Sequence, residues 1–214
     1  MLRYLKKTYH RNLLEKHLKA NAHLIKGKIL DVGSKNRRYD YLFNGEITAS
    51  DVTPKEEFNV EKQDITHLTY NDSSFDSVVC LEVLEYLELN NFKTALSEMH
   101  RVLKSAGIVV VTVPFYYRDH KDNLRVTLSY ITNVLENINF KEIKINKLGN
   151  RHTSVFDITR FPFSKRMSEN KIKTAVFTFY YFLRLIPRLI FIKVFNLEKV
   201  KDDFYSGLFI ILTK

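Results

Sequence analysis

The 214-residue sequence predicts an α/β fold built on a doubly wound, mostly parallel sheet. Three observations carry this. Short apolar segments alternate with amphipathic ones along most of the chain. Gly107–Val113 (GIVVVTV) is an unbroken, largely β-branched run, as suits a parallel strand covered on both faces. Gly27 opens the segment GKILDVGSKNRRYDYLF, which reads as a buried strand, a sharp turn and a helix.

The elements follow in order. Leu2, Leu5, Tyr9 and Leu13, then Leu14, Leu18 and Ile25, recur at helical spacing, so residues 1–26 form an amphipathic helical segment ahead of a domain spanning 27–214. Ile29–Val32 is the first strand, Arg37–Phe43 a short helix and Ile47–Asp51 the second strand. Phe58–Glu61 is a weak third. The turn-like NDSS precedes a compact apolar strand at Asp76–Leu81, and Asn91–Leu103 is a helix. After the strand at Gly107–Val113, Thr127 caps a helix running to Asn137. Two further strands lie near Ile143–Lys147 and at Leu208–Leu212, with about sixty residues between them and no conventional crossover.

Composition narrows the function classes. A single cysteine, Cys80, excludes a disulfide framework and a multi-cysteine metal site, and no metal is expected. The simplest compartment is reducing and cytoplasmic, and the N-terminal stretch lacks the apolar run of a secretory signal. The net charge of +10 sits on the flanks. Residues 1–26 hold seven Lys/Arg against Glu15 alone, and 160–201 hold ten against Glu169 and Glu198. The rest of the chain is mildly acidic. Such flanks suit an anionic membrane surface or a nucleic acid.

Three acids fall at the ends of successive strand-like segments. Asp31 ends the first, just before Gly33. Asp51 ends the second, twenty positions later, a spacing that suits a carboxylate accepting hydrogen bonds from a ribose diol. Asp64 follows the weak third strand, where its carboxylate and the Ile65 backbone suit an adenine edge. Each acid alone reads equally well as a cap or turn former.

The stretches ILDVGS, ITASDVTP, QDITHLTYNDSSFDSVVCLEVLEYL and ALSEMHRVLKSAGIVVVTVPF, with the helix and strand after Thr127, resemble a class I S-adenosylmethionine-dependent methyltransferase of the type 11 domain family. The resemblance implies a Rossmann-like seven-stranded sheet with an antiparallel last strand, and S-adenosyl-L-methionine as cofactor. It implies Asp31 and Gly33 at the methionine end, Asp51 on the ribose and Asp64 with Ile65 on the adenine. Cys80, Leu81 and Glu82 would line the site, with Ser34, Lys35 and Val52 as further cofactor contacts. The sequence departs from the pattern where Lys35 and Arg37 replace glycines, where Tyr86 replaces a histidine, and where Ser105–Ala106–Gly107 replaces a proline-glycine-glycine turn. Lys35 and Arg37 are tolerable there if the turn keeps negative dihedrals, and either could pair with the cofactor's carboxylate.

Methyl transfer mainly requires alignment of a nucleophile on an activated methyl group. The segment VPFYYRDHKDNLRVTLSYI leaves the fifth strand where an acceptor would bind. Its Pro114-Phe115, His120, Asp122, Arg125 and Thr127 resemble a pattern in methyltransferases of polysaccharide and glycolipid biosynthesis. His120 is the candidate general base; the alternative is a loop-ordering network. The expected reaction is O-methylation of a small-molecule, saccharide or lipid-linked acceptor, with N-methylation open. Competing readings are a catalytically silent methyltransferase fold serving as a scaffold and, less favoured, a nucleic-acid methyltransferase.

Residues 174–195 hold 16 apolar residues, seven of them Phe or Tyr. Arg184, Arg188, Pro187 and Lys193 argue against a membrane span. The expectation is an apolar insertion at about 160–201: two short helices joined near Pro187, resting on an anionic membrane through residues 165–201 at the inner face of the cell membrane. A helical hairpin packed on the sheet and a dimer interface are the alternatives.

Overall fold

The computed structural model describes residues 7–116, 121–159 and 171–214. Seven strands form one sheet: β1 (Lys26–Val32), β2 (Asn44–Asp51), β3 (Glu61–Lys62), β4 (Phe75–Leu81), β5 (Leu103–Pro114), β6 (Glu142–Leu148) and β7 (Gly207–Thr213). Their order is β3-β2-β1-β4-β5-β7-β6. β1 to β5 pair in parallel, whereas β7 runs antiparallel to both β5 and β6. The chain turns one way from β1 to β2 and the other way to β4. The carboxyl ends of β1 and β4 therefore flank a topological switch point, the position where open α/β sheets bind ligands.

The apolar runs explain the layers. In β5, Val109, Val110, Val111 and Val113 are all buried because both sheet faces are covered. On one face α2 (Leu89–Val102) packs Phe92, Leu96 and Met99, and α3 (Leu128–Glu136) packs Ile131 and Leu135, against Val78, Val109, Val111 and Ile210. On the other face α1 (Tyr9–Asn21) lays Leu14 and Leu18 on Ile29, Val79, Val110 and Phe209. Thr127 is the N-cap of α3, its side chain accepting from Tyr130 N at 3.2 Å.

Several elements differ from the sequence expectation. The stretch at 37–43 forms only a 3-10 turn over Asp40–Leu42, and the third strand is Glu61–Lys62, after a 3-10 turn at Glu56–Phe58. A helix absent from the sequence reading, α4 (Arg151–Thr159), follows β6. Its Asp157 accepts from the backbone of Tyr9 (2.6 Å) and His10 (2.8 Å), placing a carboxylate on the amino end of α1.

Among the described residues of the insertion, Lys171–Val194 forms one helix, α5, with Pro187 inside it. The two expected short helices are thus corrected to one. Proline removes one backbone donor and costs about 3 kcal/mol or more in a helix interior. Leu185, Leu189 and Ile192 straddle it and are buried against Tyr9 and Phe156, which offsets that cost. The packing partners of α5 are therefore α1, α4 and the 3-10 turn at Leu197–Lys199, and among the described residues nothing covers its opposite face. Ile172, Val176, Phe179, Leu183, Ile190 and Val194 form an exposed apolar stripe along its whole length.

Candidate active site

Asp31 sits near the end of β1, buried between β2 and β4. Burial disfavours its charge and pushes its pKa up to about 7; Asp40 adds to this, while Ser34 and Arg37 pull the other way. The chain then turns at Gly33, whose φ of +73° is open to glycine at little cost. A Cβ there would lie 2.3 Å from a methyl carbon of Val83, so this turn fits only glycine. Ser34 N donates to Ser50 O at 3.0 Å, which ties the turn to β2.

The two cations after Gly33 behave differently. Arg37 has φ +46°, the conformation that favours glycine, and so departs from the negative dihedral expected of it. Its side chain faces away: Nε pairs with Asp40 at 2.7 Å, and Nη1 donates to Asn59 O at 3.1 Å. Arg37 is held by the scaffold and does not line the cavity. Lys35 does line it, with Nζ donating to Thr53 Oγ1 at 2.9 Å.

A cavity of about 190 Å³ opens between the β1 turn and the loop after β4. Asp31, Gly33, Ser34 and Lys35 form one wall, and Leu81, Glu82, Glu85 and Tyr86 the other. Thr8, His10 and Arg11 close it from the start of α1. Glu82 has φ +59°, and its backbone N–H lies 3.1 Å from both the carbonyl and the hydroxyl oxygen of Thr112. Its Oε2 lies 3.0 Å from His10 Nε2, and His10 Nδ1 lies 2.9 Å from Ser206 Oγ. The Ser206 hydroxyl donates to Leu148 O at 2.9 Å, so it accepts from His10 Nδ1. A proton must then also lie between Nε2 and Glu82. Burial works against a charged Glu82, but His10, with Arg11 behind it, holds its carboxyl below the usual range.

Asp51, Val52 and Asp64 follow the carboxyl ends of β2 and β3, outside this cavity. Asp51 and Asp64 make the same local turn. Asp51 Oδ1 accepts from Thr53 N (2.7 Å) and Thr53 Oγ1 (3.1 Å), and Asp64 Oδ1 accepts from Thr66 N (2.8 Å) and Thr66 Oγ1 (2.7 Å). Those bonds hold the Asp64 carboxyl below its ordinary range. Val52 is 61% exposed, whereas Ile65 is in the core. Cys80 is buried among core side chains, and that burial pushes its thiol pKa up. His120 lies outside the described residues. Beyond it, Asp122 pairs with Arg125, and Arg125 Nη1 donates to Phe115 O at 3.0 Å. Among the described residues no group of three or more His, Cys, Asp or Glu is placed to hold a metal.

Sequence reasoning missed His10, Arg11 and Glu85. One signal was available: His10 stands one and two turns before Leu14 and Leu18, a polar residue on the helix's core-facing stripe.

Residues 27–111 match the model of a methyltransferase domain family. A methyltransferase domain is thus matched over about two fifths of the chain. The chain shares its fold with a SAM-dependent methyltransferase from Archaeoglobus fulgidus (TM-score 0.63, 17% identity, 95% of this chain and 94% of the other). It is likewise similar to a possible histamine N-methyltransferase from Thermotoga maritima (TM-score 0.58, 15%, 99% and 93%). Phosphoethanolamine N-methyltransferase 2 of Haemonchus contortus, in complex with S-adenosyl-L-methionine, gives a TM-score of 0.59 at 14% identity over 95% of this chain and 52% of that one. An uncharacterized protein of Methanocaldococcus jannaschii is 43% identical over 49 residues, 23% of this chain and 20% of that protein. The chain thus spans about a fifth of that relative's length.

Proposed function

We propose that the chain transfers a methyl group from S-adenosylmethionine to a small-molecule, saccharide or lipid-linked acceptor at an anionic membrane surface. The observation that carries the reading is the cavity at the β1/β4 switch point, continued along one sheet edge by Asp51 and Asp64. The residues fit the cofactor: the Gly33 turn admits close backbone approach, and Glu82 and Glu85, which line the cavity, each keep a buried carboxyl oxygen without a donor among the described residues. When bound, the cofactor supplies a methyl group activated on a sulfonium.

The chain's own residues divide the binding. Asp31, Gly33 and Ser34 receive the methionine end, and Lys35 lies within reach of its carboxylate. Asp51 uses one oxygen in its turn and keeps the other for the ribose. Asp64 and the Ile65 backbone take the adenine edge. Leu81 and Glu82 close the opposite wall. Arg37, engaged with Asp40, leaves the approach clear, which favours a working loop over a silent scaffold. Asp51→Ala is expected to weaken S-adenosylhomocysteine binding by about tenfold to a hundredfold, the loss of one or two charge-assisted hydrogen bonds. Asp51→Asn, which preserves the turn, should lose less. Calorimetric titration decides: unchanged affinity in both variants removes Asp51 from the site.

The membrane part rests on α5. Its exposed apolar stripe lies among ten Lys/Arg and two acids over 160–201, a pairing that fits lipid tails beside phosphate headgroups. No described helix is long and apolar enough to cross a membrane. Full-length protein should sediment with phosphatidylglycerol-containing vesicles, less so at high salt, and hardly with pure phosphatidylcholine. Leu183→Glu with Ile190→Glu should lower that binding by about tenfold or more. A stable dimer that the double substitution dissolves, with no vesicle binding, would instead assign the stripe to a second copy of the chain.

A further inference from the structure

The cavity contains two acids that the fold leaves half satisfied. Glu85 is 3% exposed, and its Oε2 has no hydrogen-bond donor among the described residues. Glu82 gives Oε2 to His10, and its Oε1, shielded from solvent, likewise has none. Both residues line the cavity. A buried carboxylate oxygen without a donor is costly, and folded proteins rarely keep two side by side.

The fold holds them there firmly. The Glu85 carbonyl accepts from Asn123 N at 2.8 Å and Leu124 N at 3.0 Å, and Asn123 Nδ2 donates to Tyr86 O at 2.9 Å. The loop after β4 is thereby stitched to the segment leading into α3. Burial, then the charges of Glu82 and Asp122, push Glu85 up to about 8, with Arg125 acting in the opposite sense. What the pair lacks is a positive group carrying several donors.

We infer that Glu85, with Glu82 beside it, is the receptor for an ammonium group entering the β1/β4 cavity. An ammonium carries three N–H donors and one charge, so it can satisfy both open oxygens and offset their repulsion. A hydroxyl donates once and leaves the charge uncompensated. The inference rests on the methyl-transfer reading of this cavity, where two molecules can bring such a group: an amine acceptor, or the cofactor through its α-amino group. With an amine acceptor, which departs from the hydroxyl expected from the sequence, Glu85 takes one ammonium proton. The freed nitrogen lone pair forms the new C–N bond while the C–S bond breaks with its electrons to sulfur, leaving a neutral thioether.

Two pairs of probes separate these sources by calorimetry on the full chain. The first is S-adenosylhomocysteine against its analogue lacking the α-amino group. The second is ethanolamine against ethylene glycol, with S-adenosylhomocysteine bound. Wild type should prefer the ammonium-bearing member of at least one pair by about tenfold or more, and Glu85→Gln should remove that preference. Loss in the first pair assigns the ammonium to the cofactor, and loss in the second assigns it to the acceptor. No preference in wild type, or a preference that Glu85→Gln leaves intact, overturns the inference. Absence of a preference in the wild type overturns the inference even if the variant is unstable. Ethanolamine preference without any binding of the adenosyl compounds would keep the ammonium site and sink the methyl-transfer reading.

Discussion

Gly33→Ala should abolish most cofactor affinity and destabilise the fold at once. An L-residue at φ +73° costs about 1–2 kcal/mol from its own backbone. The new methyl carbon would also stand 2.3 Å and 2.9 Å from the two methyl carbons of Val83, an overlap no rotamer of alanine can relieve. Overpacking of this kind costs roughly 1–3 kcal/mol more. Relief must come from movement of Val83, which lies between Glu82 and the 3-10 turn at Leu84–Tyr86. Moving it displaces both acids on the opposite wall, so the damage reaches the whole cavity. The expected result is a stability loss of about 2–5 kcal/mol by urea denaturation. Affinity for S-adenosylhomocysteine should fall by tenfold or more in the molecules that remain folded. A folded variant with wild-type affinity would show that the β1 turn does not touch the cofactor.

The same turn shows what a sequence can and cannot reveal. Gly33 announces itself because glycine reaches such a backbone conformation at least cost, and GIVVVTV because β-branched continuity has one ready structural outcome. Arg37 sends no such signal. It occupies a left-handed position despite its side chain, and Asp40, Asn59 and Ile47 are what hold it there. α4 is invisible for a related reason. RHTSVFDIT has little periodicity, and its fixed place comes from Asp157 reaching the amino end of α1, 148 positions away in sequence. Pro187 misleads in the opposite direction, since a local rule forbidding helix is outweighed by three buried side chains around it. Asp31, Asp51 and Asp64 were legible as a register, one acid per strand end. Glu85 was not, because its importance lies in a missing donor, which is a property of packing and not of residue order.

Asp31→Asn should separate stability from binding. The unfolded carboxyl titrates near 3.8 and the buried one at about 7. Below pH 4 both states hold the proton and the residue is neutral to folding. As pH rises from 4 to 7 the unfolded chain ionises first, so wild-type stability falls across that window, by roughly 4 kcal/mol at most. Asparagine removes the slope but leaves a buried amide that needs partners, which costs about 1–3 kcal/mol. The net gain at pH 7.5 should therefore be on the order of 1–3 kcal/mol, about 2–9 °C in Tm for a chain of this size. Below pH 4 the gain should reverse to a loss of about 1–3 kcal/mol, the cost of the buried amide alone. Binding should move the other way. In the proposed site Asp31 stands at the methionine end, where its ionised form adds negative charge toward a cationic group, so wild-type affinity for S-adenosylhomocysteine should rise with pH through 7. The asparagine variant should bind about tenfold to a hundredfold more weakly at pH 7.5 and lose that part of the rise. Paired thermal unfolding and calorimetry at several pH values read both effects, and the difference between the two proteins isolates Asp31 from Glu85, which titrates nearby. A variant that is more stable yet binds as well as wild type would mean that the fold keeps Asp31 buried for some purpose other than the cofactor. A variant with no stability gain at neutral pH would mean that Asp31 is already ionised there and compensated by Ser34 and Arg37.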